Sequence, residues 1–155
     1  MMAQLDDLEE KLRQAIAEGD KEQTGQDFDQ SVIQFHPIGY VENEFFAPGG
    51  LRDCTALESR LIIDPSLVAG LQGLEAGQHI LVLFYFHRSA GYDLSQHPCG
   101  NPDRPKRGVF TLRSPHRPNP IGATVVELLA IDGNVLCVRG LDACNGSPIL
   151  DLKLE

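Results

Sequence analysis

Short runs of apolar residues separated by turn formers make up most of the chain after residue 31, and this pattern predicts a mainly β fold. The segment HILVLFYFH is apolar almost throughout, so we expect it in the centre of a sheet with a neighbour on each side. Pro37 predicts an edge or bulge in the first strand. The predicted strands cover residues 31–43, 59–65, 79–87, 121–131, 134–141 and 149–154.

Turn signals between these segments predict how the strands connect. Asp132-Gly133 suits a tight two-residue hairpin turn, and Asn145-Gly146-Ser147-Pro148 predicts another turn before the last strand. LVAGLQGLEAGQ predicts a turn or short helix. Few helices and frequent turns favour a single antiparallel sheet that closes on itself as a β-barrel with short helices.

The first 30 residues follow a different, helical pattern. Residues 5–18 predict an amphipathic helix that ends at Gly19, with Leu5, Leu8, Leu12 and Ile16 on one stripe. Residues 19–30 then form a linker. We therefore expect an acidic helical extension over residues 1–30 and a barrel domain over residues 31–155. The helix either packs on its own domain or a neighbour, or docks a specific partner.

Composition limits the class of protein. A chain of 155 residues with 42% hydrophobic content can bury one core. No apolar run approaches the roughly 18 residues that cross a bilayer, and MMAQLDDLEEKLR is too charged for a signal peptide, so we expect a cytoplasmic protein without a membrane contact. Its four cysteines contain no C-x-x-C pair, which predicts free thiols.

The net charge of -9 is unevenly distributed along the chain. Residues 1–30 contain nine acids and three cations, whereas residues 84–120 contain six cations and two acids. The same basic region holds His87, His97 and His116. An acidic protein with one basic region suits a negatively charged partner such as a nucleic acid.

The basic region includes the proline-rich segment FTLRSPHRPNPIG, residues 110–122. Three prolines restrict its backbone, and a rigid loop lowers the ordering cost when a ligand binds. Arg113 and Arg117 present planar forks that match a carboxylate or phosphate. Under an alternative interpretation, the prolines protect a sheet edge and the arginines pair with local acids.

A long loop, residues 88–108, precedes this segment and has no periodicity. Loops of this length in a compact domain are usually functional or disordered. Arg104, Lys106 and Arg107 at its end can neutralise the phosphates of a nucleic acid, and the alternative is a solvated loop that balances local acids. The spacing of His87, His97, Cys99 and His116 fits no common zinc pattern, so we expect no metal site.

GVFTLRSPHRPNPIG, followed by VVELLAIDGNVLCVRGLDACNGSPILDLKL, resembles the TsaA-like, or TrmO, family of tRNA methyltransferases. The similarity runs from about Ile38 to Leu152 and includes IGYVENEF and GLQGLEAGQHILVLFYFHRS. It implies a single-sheeted β-barrel that forms a homodimer and binds S-adenosylmethionine near the subunit interface. The reaction that it implies is methylation of the exocyclic amine of threonylcarbamoyladenosine at position 37 of tRNA.

The resemblance also implies site residues. Methyl transfer releases a proton, which His87, Asp142 or Asp151 would accept. Phosphate contacts would come from Arg104, Lys106, Arg107 and Arg117. The cofactor contacts that it implies are Pro48, Gly49, Gly50, His87, Arg88, Arg113, Ile121, Gly122, Ala123, Asn145, Gly146 and Ser147. Phe86 at the end of the central strand is either a core residue or the ring that stacks on the adenine.

The chain departs from the family pattern in three places. The early loop around Pro48-Gly49-Gly50 has an unusual sequence, and Asn145 stands where relatives have Asp, which removes one negative charge. The sequence stops at Glu155, so we expect no separate C-terminal domain. These departures leave two alternatives open: a cofactor-binding regulatory or partner module that does not methylate tRNA, and a methyltransferase for a small molecule.

Overall fold

The computed structural model describes residues 2–23, 31–46 and 54–155, and the chain divides into two compact units, residues 1–34 and 35–155. The predicted linker beyond Gln23 and the candidate contacts Pro48, Gly49 and Gly50 lie outside the described residues.

The first unit contains helix α1, Met2–Gln23. Leu5, Leu8 and Leu12 of the predicted stripe are exposed, while the side chain of Ile16 lies outside the described residues. The predicted end at Gly19 is wrong, because α1 continues to Gln23. One interior glycine costs a helix only about 1 kcal/mol, and no proline follows here to stop it.

The described residues of the second unit form eight strands, all paired antiparallel. Six of them close a barrel in the order β1-β2-β7-β6-β3-β8, and β4 and β5 form a separate two-stranded ribbon. The prediction of a closed antiparallel barrel is confirmed. The strands are β1 Gly39–Glu42, β2 Glu58–Ile63, β3 His79–Tyr85, β4 Ser95–Gln96, β5 Arg107–Gly108, β6 Ile121–Asp132, β7 Val135–Arg139 and β8 Pro148–Leu154.

Alternation of side chains along the strands fills the barrel interior with apolar groups. In β3, Ile80, Val82 and Phe84 are buried, whereas the residues between them are on the outer wall. As predicted, β3 lies between two neighbours, β6 and β8. The other fully buried side chains of this core include Val41, Leu61, Ile63, Val126, Leu128, Leu136 and Ile149.

The first strand is much shorter than predicted. Residues 31–37 are exposed and form no strand, and pairing begins with the Ile38 N–H, which donates to the Ile149 carbonyl at 2.8 Å. Pro37 therefore lies outside the strand, not at an edge or bulge within it. Pro37 has no N–H to donate to a neighbouring strand, so it cannot extend the ladder.

Short connections complete the barrel. The 3₁₀ helix Pro65–Leu71 overlaps the first part of the segment predicted as a turn or short helix, residues 67–78, and begins two residues earlier. The β6-β7 hairpin has Gly133-Asn134 at its centre, one residue later than predicted, because Asp132 pairs with Val135. Gly133 has a φ of 59°, which favours glycine at the first position of this turn.

Gly122 of β6 is fixed by a packing constraint. It pairs with Phe84, and a Cβ at this position would lie 2.3 Å from the Phe84 ring. Since Phe84 is itself only 1% exposed, the ring has no room to move into solvent.

We therefore expect Gly122→Ala to lower the free energy of unfolding by about 1–3 kcal/mol, the usual cost of overpacking a core. Urea unfolding measures the change. Gly70→Ala is the matched control, because a Cβ at Gly70 meets nothing within 4 Å. Equal effects of the two substitutions would contradict this account of the packing.

Candidate active site

A cavity of about 1100 Å³ opens where β3 ends and the proline-rich segment begins. Three parts of the chain line it: residues 86–89 after β3, parts of residues 93–107 in the long loop, and residues 111–116 of the proline-rich segment. Cys144 and Ser147 add a fourth wall from the turn before β8. The volume is slightly above the range of roughly 300–1,000 Å³ that is typical of small-molecule sites.

The end of β3 places three predicted site residues on the cavity wall. The Phe86 N–H donates to the Pro120 carbonyl at 2.8 Å, which joins this segment to the proline-rich loop. The Phe86 ring packs edge-to-face on Phe84, with ring centroids 5.0 Å apart. The Arg88 guanidinium donates to the Phe46 carbonyl, and the side chain is exposed.

His87 faces the turn before β8. Its Nδ1 lies 3.4 Å from the Ser147 hydroxyl, and a Cβ on Gly146 would lie 3.7 Å from its Nε2. Burial and, secondly, the charge of Arg88 lower the pKa of His87 below 6.5. The imidazole is therefore neutral at pH 7 and has a lone pair that can accept a proton.

Asn145 serves the turn and not the cavity. Its Oδ1 accepts the Asn43 N–H at 3.0 Å, and its own N–H donates to the Phe45 carbonyl at 2.7 Å. A carboxylate would accept the same hydrogen bond, so Asn145 preserves the turn contact that an Asp would make at this position. Gly146 has a φ of 84°, which explains the glycine.

Asn43 is a neighbour of the candidate site that sequence reasoning missed. Its side chain donates to the Ser59 hydroxyl at 3.0 Å and to the Ala143 carbonyl at 2.9 Å. These partners lie 16 and 100 residues away in the sequence, so no local pattern reveals them. Asn43 thus links β1, β2 and the turn that carries Ser147.

The proline-rich segment is held mainly by its own backbone. Arg117 donates to the carbonyls of Leu112 and Ser114 at 2.9 and 3.2 Å, and it is absent from the cavity wall. The Ser89 hydroxyl donates to the Pro115 carbonyl at 3.0 Å. Arg117 therefore braces the loop through its Nη1 atom, and its role as a phosphate contact stays a prediction.

Arg113 joins the cavity to the barrel. It lines the cavity, and its Nη1 donates to the Ala123 carbonyl of β6 at 3.0 Å. The side chains of Ile121 and Ala123 are on the outer wall with Tyr85, and Gly122 is buried against Phe84. This part of β6 thus contributes to the site through the Ala123 carbonyl and not through side chains in the cavity.

The cavity is strongly basic. Arg88, Arg104, Lys106, Arg107 and Arg113 line it together with the acid Asp93. Among the residues that the structure describes, none of these cations forms an ion pair. The alternative in which local acids neutralise Arg113 and Arg117 is therefore wrong for the described part of the chain.

The candidate proton acceptors are in different places. Asp142 is exposed and does not itself line the cavity, but its charge acts on Cys144 of the cavity wall, and its Oδ1 accepts the Thr124 hydroxyl at 2.5 Å. Asp151 instead pairs with Lys153 at 2.8 Å and lines a separate groove near the Pro65–Leu71 helix. The geometry therefore groups His87 and Asp142 near the cavity and separates Asp151 from it.

Within the described ranges, no three His, Cys, Asp or Glu side chains form a group that could hold a metal ion. The described residues include all four cysteines, and no disulfide joins them. Burial raises the pKa of the Cys144 thiol in the cavity wall, so this cysteine is not activated as a nucleophile. No helix in the described part of the chain is long and apolar enough to span a bilayer.

The structure is a closed β-barrel with a basic cavity for a small ligand, and a proline-rich loop forms part of the cavity wall. This class of site differs from that of doubly wound folds, which bind their ligand at a glycine-rich turn. Residues 41–154 match the family described as the tRNA-methyltransferase O N-terminal domain, and the chain belongs to this family. The prediction from the sequence motifs is thus confirmed at the level of the family.

Known relatives differ in length from this chain. A protein of Methanothermobacter thermautotrophicus named a probable S-adenosyl-L-methionine-binding protein is 42% identical over 78% of this chain and 88% of its own length. A human tRNA (adenine(37)-N6)-methyltransferase is 36% identical over 76% of this chain but 29% of its own length. The crystal structure of TrmO from Pseudomonas aeruginosa matches with a TM-score of 0.64 and 30% identity, covering 81% of this chain and 56% of that one.

We expect the His87 midpoint in an NMR titration to lie below 6.5 and to rise in Arg88→Gln, because that change removes a positive neighbour. In the unfolded chain the histidine titrates normally and takes up its proton first as the pH falls. The contribution of His87 to stability is thus complete above pH 6.5 and is lost as the pH falls through the lowered pKa.

The matched control is Arg113→Gln, which removes another cavity cation that does not act on the His87 pKa. A His87 midpoint that responds equally to both substitutions would contradict the assignment to Arg88.

Proposed function

We propose that this chain binds S-adenosylmethionine in the basic cavity and transfers its methyl group to the exocyclic amine of adenosine 37 in tRNA. The threonylcarbamoyl form of that adenosine is the proposed substrate. The observation that carries the proposal is the cavity itself, in which His87, Arg88 and Arg113 of a TrmO-family chain line one space of about 1100 Å³. The names of relatives as S-adenosyl-L-methionine-binding proteins and as a tRNA methyltransferase support it.

The residues present fit such a cofactor. The guanidinium groups of Arg88 and Arg113 suit the amino acid carboxylate, and the Phe86 ring offers an apolar face to an adenine. The cofactor supplies a methyl group that its sulfonium activates for displacement. Because His87 is neutral at pH 7, it adds no positive charge that would repel a sulfonium.

The chain has to align the amine and accept a proton. Rigid backbone contacts on both sides of the cavity, such as the one between Phe86 and Pro120, hold its walls in place for that alignment. His87 is the first choice for the proton acceptor, since its imidazole is neutral and lines the cavity. Asp142 is the second choice, because it lies close to Cys144 of the cavity wall without lining the cavity itself.

The decisive assay measures transfer of labelled methyl from the cofactor to tRNA with and without threonylcarbamoyladenosine. We expect label only in the modified tRNA, and a fall in kcat of about 100-fold or more in His87→Gln, the usual effect of losing a general base. Asp142→Asn tests the second choice. Asp151→Asn is the matched control and should leave kcat unchanged, because Asp151 lines the separate groove.

Absence of methyl transfer to any tRNA, with cofactor binding retained in calorimetry, would favour the second candidate, a cofactor-binding module. Relatives named only for cofactor binding support that candidate. A salt titration separates tRNA from a small-molecule substrate, because tRNA affinity falls steeply with salt if phosphates are bound by Arg104, Lys106 and Arg107. With tRNA as substrate, the proposed location is the cytoplasm.

We also propose that the chain forms a homodimer through the outer wall of β3 and β6. Its cross-strand pairs are Leu81 with Val125, Leu83 with Ala123, and Tyr85 with Ile121. None of these six side chains is charged, and Tyr85, Ile121 and Val125 are each about 40% exposed. An apolar wall of this kind is typical of an interface, and it is continuous with the cavity through Phe86.

We expect the protein to sediment as a dimer at micromolar concentration and Val125→Lys to sediment as a monomer, because the substitution buries an unpaired charge in the contact. Leu67→Lys is the matched control, since Leu67 is similarly exposed on the Pro65–Leu71 helix. A monomeric wild-type protein, or equal dissociation by both variants, would refute this interface.

A further inference from the structure

Phe110 is an exposed aromatic residue next to the cavity, and we propose that its ring stacks on an unpaired base of the bound tRNA. This inference rests on the proposed tRNA substrate and adds a contact to it. Phe110 lies in the 3₁₀ helix Val109–Thr111, which follows β5 directly. Its side chain is 78% exposed, more than any other aromatic side chain of the described residues.

The backbone beneath the ring is firmly held. Val109 is 1% exposed, and its N–H donates to the Leu94 carbonyl at 2.9 Å. The Thr111 hydroxyl donates to the Gly108 carbonyl at 2.7 Å, and the Leu112 N–H donates to the Val109 carbonyl at 3.1 Å. Phe110 thus lies on a turn whose backbone is already ordered, so the protein loses little conformational entropy when a base stacks on the ring.

Cationic residues flank Phe110 in the sequence. Lys106 and Arg107 precede it and Arg113 follows it, and all three line the cavity. An aromatic ring among cations is typical of sites for single-stranded nucleic acid, where bases stack while the backbone is neutralised. The cores of protein interfaces, in contrast, are depleted of charged residues. The uncharged β3-β6 wall suits a second copy of the chain, whereas Phe110 suits a base.

The chain contains no tryptophan, so Phe110→Trp introduces a single fluorescent reporter at the proposed contact. The probe is a stem-loop RNA with an unpaired loop, compared with a blunt duplex of the same stem. We expect the stem-loop to quench the Trp fluorescence and the duplex to have little effect. Tyr40→Trp is the matched control, because Tyr40 is a 53% exposed aromatic residue on β1 and, unlike Phe110, has no direct chain neighbour that lines the cavity.

Affinity provides the second measurement. Phe110→Ala should weaken binding of the stem-loop by roughly 5- to 100-fold, the range expected for loss of one base–aromatic stack, and Phe110→Trp should retain it. Labelled cofactor binding should stay unchanged in both variants, which separates loss of the stack from damage to the cavity.

Three results would overturn the inference. One is tight RNA binding by the wild-type protein with no quenching in Phe110→Trp, which would leave the proposed function intact. Another is a Trp signal that depends on protein concentration without RNA, which would assign the ring to a contact between copies of the chain. The third is no RNA binding by the wild-type protein, which would remove the proposed tRNA substrate as well.

Discussion

Insertion of β3 between β6 and β8 is the constraint on which the barrel and the cavity both depend. Its ladders with these two strands close the sheet, and they fix the point at which the chain leaves the barrel as Phe86, His87 and Arg88. The Phe84 ring occupies the space that Gly122 leaves open, so this closure depends on a residue without a side chain. The positions of the residues on the β3 side of the cavity therefore depend on the contact between Phe84 and Gly122.

The cavity combines a fixed scaffold with unneutralised charge. Backbone carbonyls hold Arg88, Arg113 and Arg117, whereas carboxylates hold none of the three in the described part of the chain. A carbonyl orients a guanidinium without cancelling its charge, so Arg88 and Arg113 stay available to an anionic ligand. Burial and, secondly, the charge of Arg88 keep His87 neutral. Arg88 thus contributes both to the proposed anion site and to the neutral state of the proposed proton acceptor.

Much of the site was predictable because it lies in two continuous segments. Residues 86–88 and 111–116 both line the cavity, and motif resemblance selected parts of both. The turn at Asn145-Gly146-Ser147 was also selected, but only Ser147 lines the cavity, since Asn145 is bound to Asn43. Resemblance identifies a segment, whereas side-chain direction within the segment depends on hydrogen bonds to distant parts of the chain.

The sequence by itself determined the strand periodicity, the central place of β3, the stiff proline segment and the concentration of cations between residues 84 and 120. These are local properties, set by side-chain alternation, ring closure of proline and charge. Only the tertiary structure decided that Arg117 braces the loop, that Asp151 lies in another groove and that Asn43 joins β1 to the turn carrying Ser147. Those outcomes depend on contacts between residues far apart in the sequence, which closure of the barrel brings together and no local pattern encodes.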